Sequence, residues 1–352
     1  MTIDDAIGNL VTRVKSLESE GSAVYSLLVI TDGTSGESVS ASIANGETVT
    51  GTFDSNGQCI LKLSYVGKYT ILLGNLAIRD INIPAMYSVI TTHLIPSFND
   101  ATWDEISKLL DLHYNGDIDL TNYWKVGDVK ENVSLINTMS DVYDSVTHSL
   151  QEIDLVIIGT NHDTISDNGK KAVFTIAQKD CLGRSGRITN YDSGYTYARY
   201  SVSSRNSWMT TQYIYALPFK LQRLIKRVNK FMTDPQSLTE APATTILSST
   251  AKCFIPSCYE VFGEGYTFDA ISNKQTYTYG VNISDGTQYE YYKTEDNIKR
   301  KLGKNNDSYI AWYTRSGFMY SEKPYFVTVG LSGLASYNVP TNSLGICPHF
   351  CI

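Results

Sequence analysis

The chain has 352 residues, with Lys plus Arg 29 against Asp plus Glu 36, for a net charge of -7. That acidic balance argues against a nonspecific grip on nucleic acid or on an anionic membrane. Charged residues make up 18% and hydrophobic ones 42%, which suits a folded chain with a sizeable core, and no apolar run reaches the ~18 residues needed to cross a bilayer. Tyr is over-represented, 25 against 11 Phe and 4 Trp, which hints at recognition surfaces because a tyrosine joins an apolar face to a polar tip.

Ile3, Ile7, Leu10, Val14 and Leu17 recur at alternating spacings of four and three, an a/d seam over residues 1–20. About two heptads are too few to hold chains together unaided. The expectation is an N-terminal helix that oligomerises, a trimer being favoured, or attaches to a larger assembly; an ordinary amphipathic helix is the plainer alternative. Residues 22–94 then switch to period two, with Val39, Ala41 and Ile43 between serines, and Leu61 and Leu63 around Lys62. Asp32-Gly33, Asn45-Gly46 and Asn56-Gly57 supply the turns of a small antiparallel β-sandwich.

From 95 onward the pattern is mixed α+β. Thr102-x-x-Glu105 is a capping box opening a helix that ends near Asn115-Gly116. Ile153 to Gly159 and Val173 to Ala177 read as buried strands. Leu221, Leu224, Ile225, Val228 and Phe231 fit helical spacing and predict a helix over 218–232, with Lys220, Arg223, Lys226, Arg227 and Lys230 on its solvated face. Asp285-Gly286 predicts a hairpin between strands at 281–283 and 289–291, and further strands fall near 308–314, 325–329 and 345–352.

The chemistry-bearing residues are sparse. Six cysteines without a leader-like start read as buried thiols of a protein made in a cytosol. Cys347, His349 and Cys351 could share one strand face, perhaps with Cys253 and Cys258, yet the spacing matches no familiar zinc motif, so no metal and no cofactor is expected. Phosphate-loop, dinucleotide, metalloprotease and serine-hydrolase motifs are missing, and no catalytic residue is assigned. Asn161-His162-Asp163, directly after a strand, is the best acid/base candidate, with a polar turn as the plainer reading. Asp141 with Asp144, or Glu290 with Glu295, could serve glycoside hydrolysis if folded together. The densest recognition-like stretch holds Tyr195, Tyr197, Arg199, Tyr200, Arg205, Trp208 and Tyr213, with core packing of the aromatics as the alternative.

Two resemblances extend these readings. The stretch from Gly51 to Gln58 with Gly67-Lys68-Tyr69-Thr70-Ile71 resembles the Ig-like modules of phage tail fibres and bacterial surface proteins, which implies a spacer. The ordered phrases Trp124 to Asp128, Ala216-Leu217-Pro218, Phe254-Ile255-Pro256-Ser257, Trp312 to Ser316 and Gly345 to Phe350 resemble an uncharacterised domain family of phage and Gram-positive proteins. Their closing strands are similar to those of C-type-lectin-like folds, with Trp312 and Arg315 as fold-determining residues; the calcium-lectin signatures are missing. These resemblances imply a phage virion protein of fibre or spike type, assembled in the host cytoplasm. The N-terminal region would meet other virion proteins, and the C-terminal domain a host surface glycan or protein. No nucleic acid is bound and no membrane entered. A capsid-decorating or baseplate protein and a cell-wall glycan hydrolase are the alternatives.

Overall fold

The structure is a computed structural model that describes residues 25–137, 139–140, 147–148, 152–186, 199–233, 246–263, 267–270, 275–278, 285–294, 299, 301–302, 308–320, 323–342 and 344–352. The a/d seam of Ile3, Ile7, Leu10, Val14 and Leu17 lies outside the described residues, as do Asp141, Asp144, Tyr195, Tyr197 and Glu295. Two compact units emerge, Met1–Ile118 and Asp119–Ile352.

Strands of the first unit are β1 (Ser26–Thr31), β2 (Ser38–Ile43), β3 (Thr48–Thr52), β4 (Cys59–Leu63), β5 (Gly67–Leu73), β6 (Leu76–Ile83) and β7 (Val89–His93). They make two sheets, ordered β4-β1-β7 and β3-β2-β5-β6. Alternation decides which side chains enter the core: Cys59, Leu61 and Leu63 are buried while Ile60 and Lys62 face out. The expected turns form, with Asn45 at φ 57° and Gly57 at φ 70°. A Cβ on Gly57 would stand 2.7 Å from the Gly33 carbonyl, so that turn needs glycine twice over.

Helix α1 (Trp103–Asn115) carries the expected capping box, Thr102 and Glu105 satisfying each other's backbone N–H, and stops at left-handed Gly116. Such a cap is worth about 1 kcal/mol. It belongs to the first unit, where Glu105 meets Arg79 of β6 at 3.5 Å, so the division falls after this helix and not before it at residue 95. The reason is the buried stripe of Ile106, Leu109 and Leu110, which a helix serving only as a linker would leave wet.

The second unit is mixed α and β. One five-stranded antiparallel sheet runs β14 (Cys253–Phe254), β19 (His349–Cys351), β10 (Phe174–Gln178), β9 (Glu152–Thr160), β8 (Val129–Ser134). A second, mixed five-stranded sheet runs β11 (Leu182–Gly186), β18 (Leu344–Ile346), β15 (Trp312–Tyr320), β16 (Lys323–Val329), β17 (Ala335–Asn338), with β18 and β15 parallel. β12 (Val228–Thr233) and β13 (Ile246–Ala251) pair as a separate hairpin.

Two expected elements are corrected. The helix over 218–232 shrinks to α2 (Phe219–Leu224), after which the chain extends into β12. Bridges from Ile165 to Val228 and from Lys226 to Cys351 hold that extended backbone, so tertiary pairing overrides a spacing that fits both forms. The hairpin arm at 289–291 is instead a 3₁₀ turn, Glu290–Lys293, which lets Tyr289 and Tyr292 both reach the core; residues 281–283 lie outside the described residues.

Candidate functional site

The turn after β9 carries Asn161 at φ 49°, followed by His162 and Asp163. That left-handed residue is a conformation Asn tolerates, and it swings the next two side chains back over the sheet. Asp163 becomes buried, and Thr175, Lys230, Tyr289 and Cys351, from four other segments, converge on it.

Lys230, from the middle of β12, is 2% exposed and sends its ammonium to the Asp163 carboxylate, to Glu260 Oε1 at 2.9 Å and to the Tyr289 hydroxyl at 2.7 Å. Asp163 Oδ2 also accepts from Thr175 Oγ1 at 2.6 Å and from Tyr289 at 3.0 Å. Glu260 is placed by α3 (Cys258–Phe262), whose capping box it shares with Ser257. Because that carboxylate both caps the helix and pairs with two cations, its position is fixed from three sides.

Arg315, from β15, is fully buried and forks onto Glu260 with Nη1–Oε2 2.6 Å and Nη2–Oε1 2.8 Å. Its other N–H groups go to the carbonyls of Phe231 at 2.8 Å, Ile255 at 2.8 Å and Asp285 at 3.1 Å. One guanidinium thereby joins β12, the approach to α3 and the segment before Tyr289. Ser316 completes the seam, donating to Asp285 Oδ2 at 2.6 Å and accepting from the Cys258 N–H at 2.7 Å.

Two cations face two anions in this interior, so the cluster is balanced. Burial alone would raise both carboxyls, but the opposing charges win. Arg315 and Lys230 hold Glu260 down at about 2, and Lys230 holds Asp163 well below the ordinary range. Asp285, with Ser316 for a partner, is pushed upward by burial.

Above these charges opens a cleft of about 230 Å³, lined by His162, Thr164, Lys171, Asn229, Phe231 and Thr287 among others, with Asp163, Lys230 and Glu260 at its base. His162 lies against the Tyr289 ring at a centroid distance of 4.1 Å and its Nε2 meets the Thr287 carbonyl at 2.9 Å. Its Nδ1 stands 3.5 Å from Asp163 without a hydrogen bond among the described residues. Phe231, 47% exposed, also lines the cleft.

Of the residues singled out in the sequence, His162 and Asp163 do sit in the cleft. Lys230, expected on a wet helix face, is at its base, and Arg315 is the staple beneath it. Of the tyrosine-rich stretch, Tyr200, Arg205, Trp208 and Tyr213 are buried and Arg199 is half-buried, as the core-packing alternative has it for these residues, while Tyr195 and Tyr197 lie outside the described residues. A helical run over 204–216, with a π-helical segment at Met209–Tyr213, turns these side chains inward, and Arg205 packs over the Trp208 ring at 5.2 Å. Cys347, His349 and Cys351 also diverge. Cys347 donates to the Gln178 carbonyl at 3.0 Å, His349 lies between Tyr292 OH and the Cys347 carbonyl, and Cys351 turns toward Asp163. Among the described residues no group of three His, Cys, Asp or Glu side chains is placed to hold a metal ion.

A charged residue inside an otherwise apolar strand was the signal that could have revealed the site. Val228-Asn229-Lys230-Phe231-Met232 and Trp312-Tyr313-Thr314-Arg315 both carry it. Such a cation must find a buried anion or destabilise the strand.

No curated protein and no solved structure matches the chain. A family model described as a domain of unknown function, DUF6273, matches residues 170–352, a span that contains Lys230, Glu260, Tyr289 and Arg315 and begins just after Asp163. Covering more than half of the chain, with Lys230, Glu260 and Arg315 of the charged cluster inside it, that match makes the protein a member of the DUF6273 family.

Proposed function

We propose that the chain is a phage virion protein of fibre or spike type whose second unit binds a host-surface saccharide in the cleft beside Phe231. The carrying observation is that Phe231, an exposed aromatic residue, lines the cleft together with the neutral hydrogen-bonding residues Thr164, Asn229 and Thr287, over charges that are already paired. Sugars present apolar C–H faces that stack on a ring and hydroxyls that trade donors and acceptors with amides and hydroxyls. Hydrolysis fits less well. A glycosidase needs one carboxyl protonated as general acid, whereas Asp163 and Glu260 are both held ionised.

In this reading the first unit is an Ig-like spacer, the second a C-type-lectin-like head, and residues 1–20 join three copies. Light scattering on the intact chain and on one lacking residues 1–20 tests the last part. A trimer falling to monomer is expected; monomer in both preparations contradicts it. For the cleft, the intact chain is applied to an array of bacterial envelope glycans. Phe231→Ala should weaken the best binder at least tenfold, about 1.4 kcal/mol, with an unchanged unfolding midpoint. Undiminished binding by the variant, or no glycan bound, removes the proposal.

A further inference from the structure

Away from the cleft, Cys181 and Cys347 meet in the core of the second unit. Strands β11 and β18 pair antiparallel with Leu182 opposite Ile346; Cys181 directly precedes Leu182, Cys347 directly follows Ile346, and both belong to one buried core cluster. Cys181 lies over Gly345, two residues before Cys347, where an added Cβ would stand 2.9 Å from its sulfur. Gly345 thus leaves room for the Cys181 thiol.

The surroundings favour chemistry at Cys347. Its thiol donates to the Gln178 carbonyl at 3.0 Å, and the buried ammonium of Lys301 approaches the same oxygen at 3.5 Å. Burial alone would raise this thiol, yet the hydrogen bond from Cys181 and the Lys301 charge bring it below its ordinary value, while burial drives Cys181 well above. The Lys301 cation beside Cys347 favours a thiolate there once its hydrogen bond to the Gln178 carbonyl opens, which makes Cys347 the nucleophile of the pair.

We propose that Cys181 and Cys347 are a redox-active pair that a small hydroperoxide converts to a cross-strand disulfide tying β11 to the last strands of the chain. The Cys347 thiolate attacks one oxygen of hydrogen peroxide, the O–O bond breaks, and the departing hydroxide takes up a proton to leave as water. Cys347 is then a sulfenic acid. The Cys181 thiol attacks that sulfur, the S–S bond forms as the S–O bond breaks, and a second water leaves with the Cys181 proton. Two thiols lose two electrons and two protons, and one peroxide becomes two waters. A water-sized oxidant suits two fully buried sulfurs, which a bulky disulfide reagent would not reach.

The experiment uses the intact folded chain. It is treated with one equivalent of hydrogen peroxide, quenched, alkylated after denaturation, and mapped by mass spectrometry following trypsin and chymotrypsin, which separate Cys347 from Cys351 at Phe350. A linked peptide pair holding Cys181 and Cys347, lighter by two hydrogens and released by dithiothreitol, is expected, with Cys59, Cys253, Cys258 and Cys351 still alkylated. In Cys181→Ser the reaction should stop at a sulfenic acid on Cys347 that dimedone captures. Full alkylation of both cysteines in the oxidised native chain, or linkage through any other pair, overturns the proposal. The peptide map of the unsubstituted chain decides even where the variant fails to fold.

Discussion

Arg315→Met is expected to destabilise the second unit by about 3–5 kcal/mol, the range for breaking a buried ion pair from one side. The substitution keeps the volume of the side chain but leaves Glu260 with Lys230 alone, and strips a donor from the carbonyls of Phe231, Ile255 and Asp285. Since a domain of this kind is stable by roughly 5–15 kcal/mol, the loss is a large share of the total. Urea denaturation followed by tryptophan fluorescence reads it directly. Adding Glu260→Gln should cost less than the sum of the two single changes, because the second removes a carboxylate that has already lost its Arg315 partner. A loss below about 1 kcal/mol for Arg315→Met would mean that the fork is dispensable, and that the cleft floor is held by packing alone.

Acid should unfold this unit in two stages with different owners. His349 is fully buried, and desolvation, with the Lys301 charge behind it, pulls it from 6.5 to about 3. The unfolded chain therefore takes up a proton at this residue near pH 6.5 while the folded chain refuses it until about 3. Through that window stability falls as the pH falls, with a limiting slope of about 1.4 kcal/mol per pH unit. Glu260 joins lower down: its folded value of about 2 lies beneath the unfolded 4.5, so the stability it confers is complete above 4.5 and is lost as the pH drops through about 2. Asp163, depressed in the same direction, adds to this second stage. His349→Gln keeps a partner for the Tyr292 hydroxyl and removes the titrating ring. Denaturation at pH 7, 6 and 5 should show the parent losing about 1 kcal/mol per unit more than the variant. Equal slopes would show that His349 titrates freely in the fold.

Local signals carried much of the first unit. Alternation in β2 and β4, Asn45-Gly46 at a turn, and the Thr102–Glu105 box each dictate backbone within a few residues, and each appears where its residues imply. The candidate site was less legible because its members come from five separate segments. His162 and Asp163 were noticed for following a strand. Lys230 was misplaced because Leu221, Leu224, Ile225 and Val228 keep helical spacing across a break that only the pairing with Ile165 and Cys351 imposes. The tyrosines of the 200–213 stretch left two readings open for a related reason. An aromatic with a polar tip suits a surface or a core equally well, and the helical run chose the core. Glu260 was hidden inside a capping box at Ser257, a motif whose usual meaning is a helix start and not a buried counter-ion.

In the proposed function the cleft over the Asp163–Lys230–Glu260 floor receives a saccharide. Hydrogen–deuterium exchange on the intact chain, with and without the tightest-binding envelope glycan, tests it most directly. Slowed exchange in peptides covering 162–164, 229–231 and 286–287, and lost in Phe231→Ala, is the predicted result. Protection confined to other segments, with these three unchanged, would contradict the account.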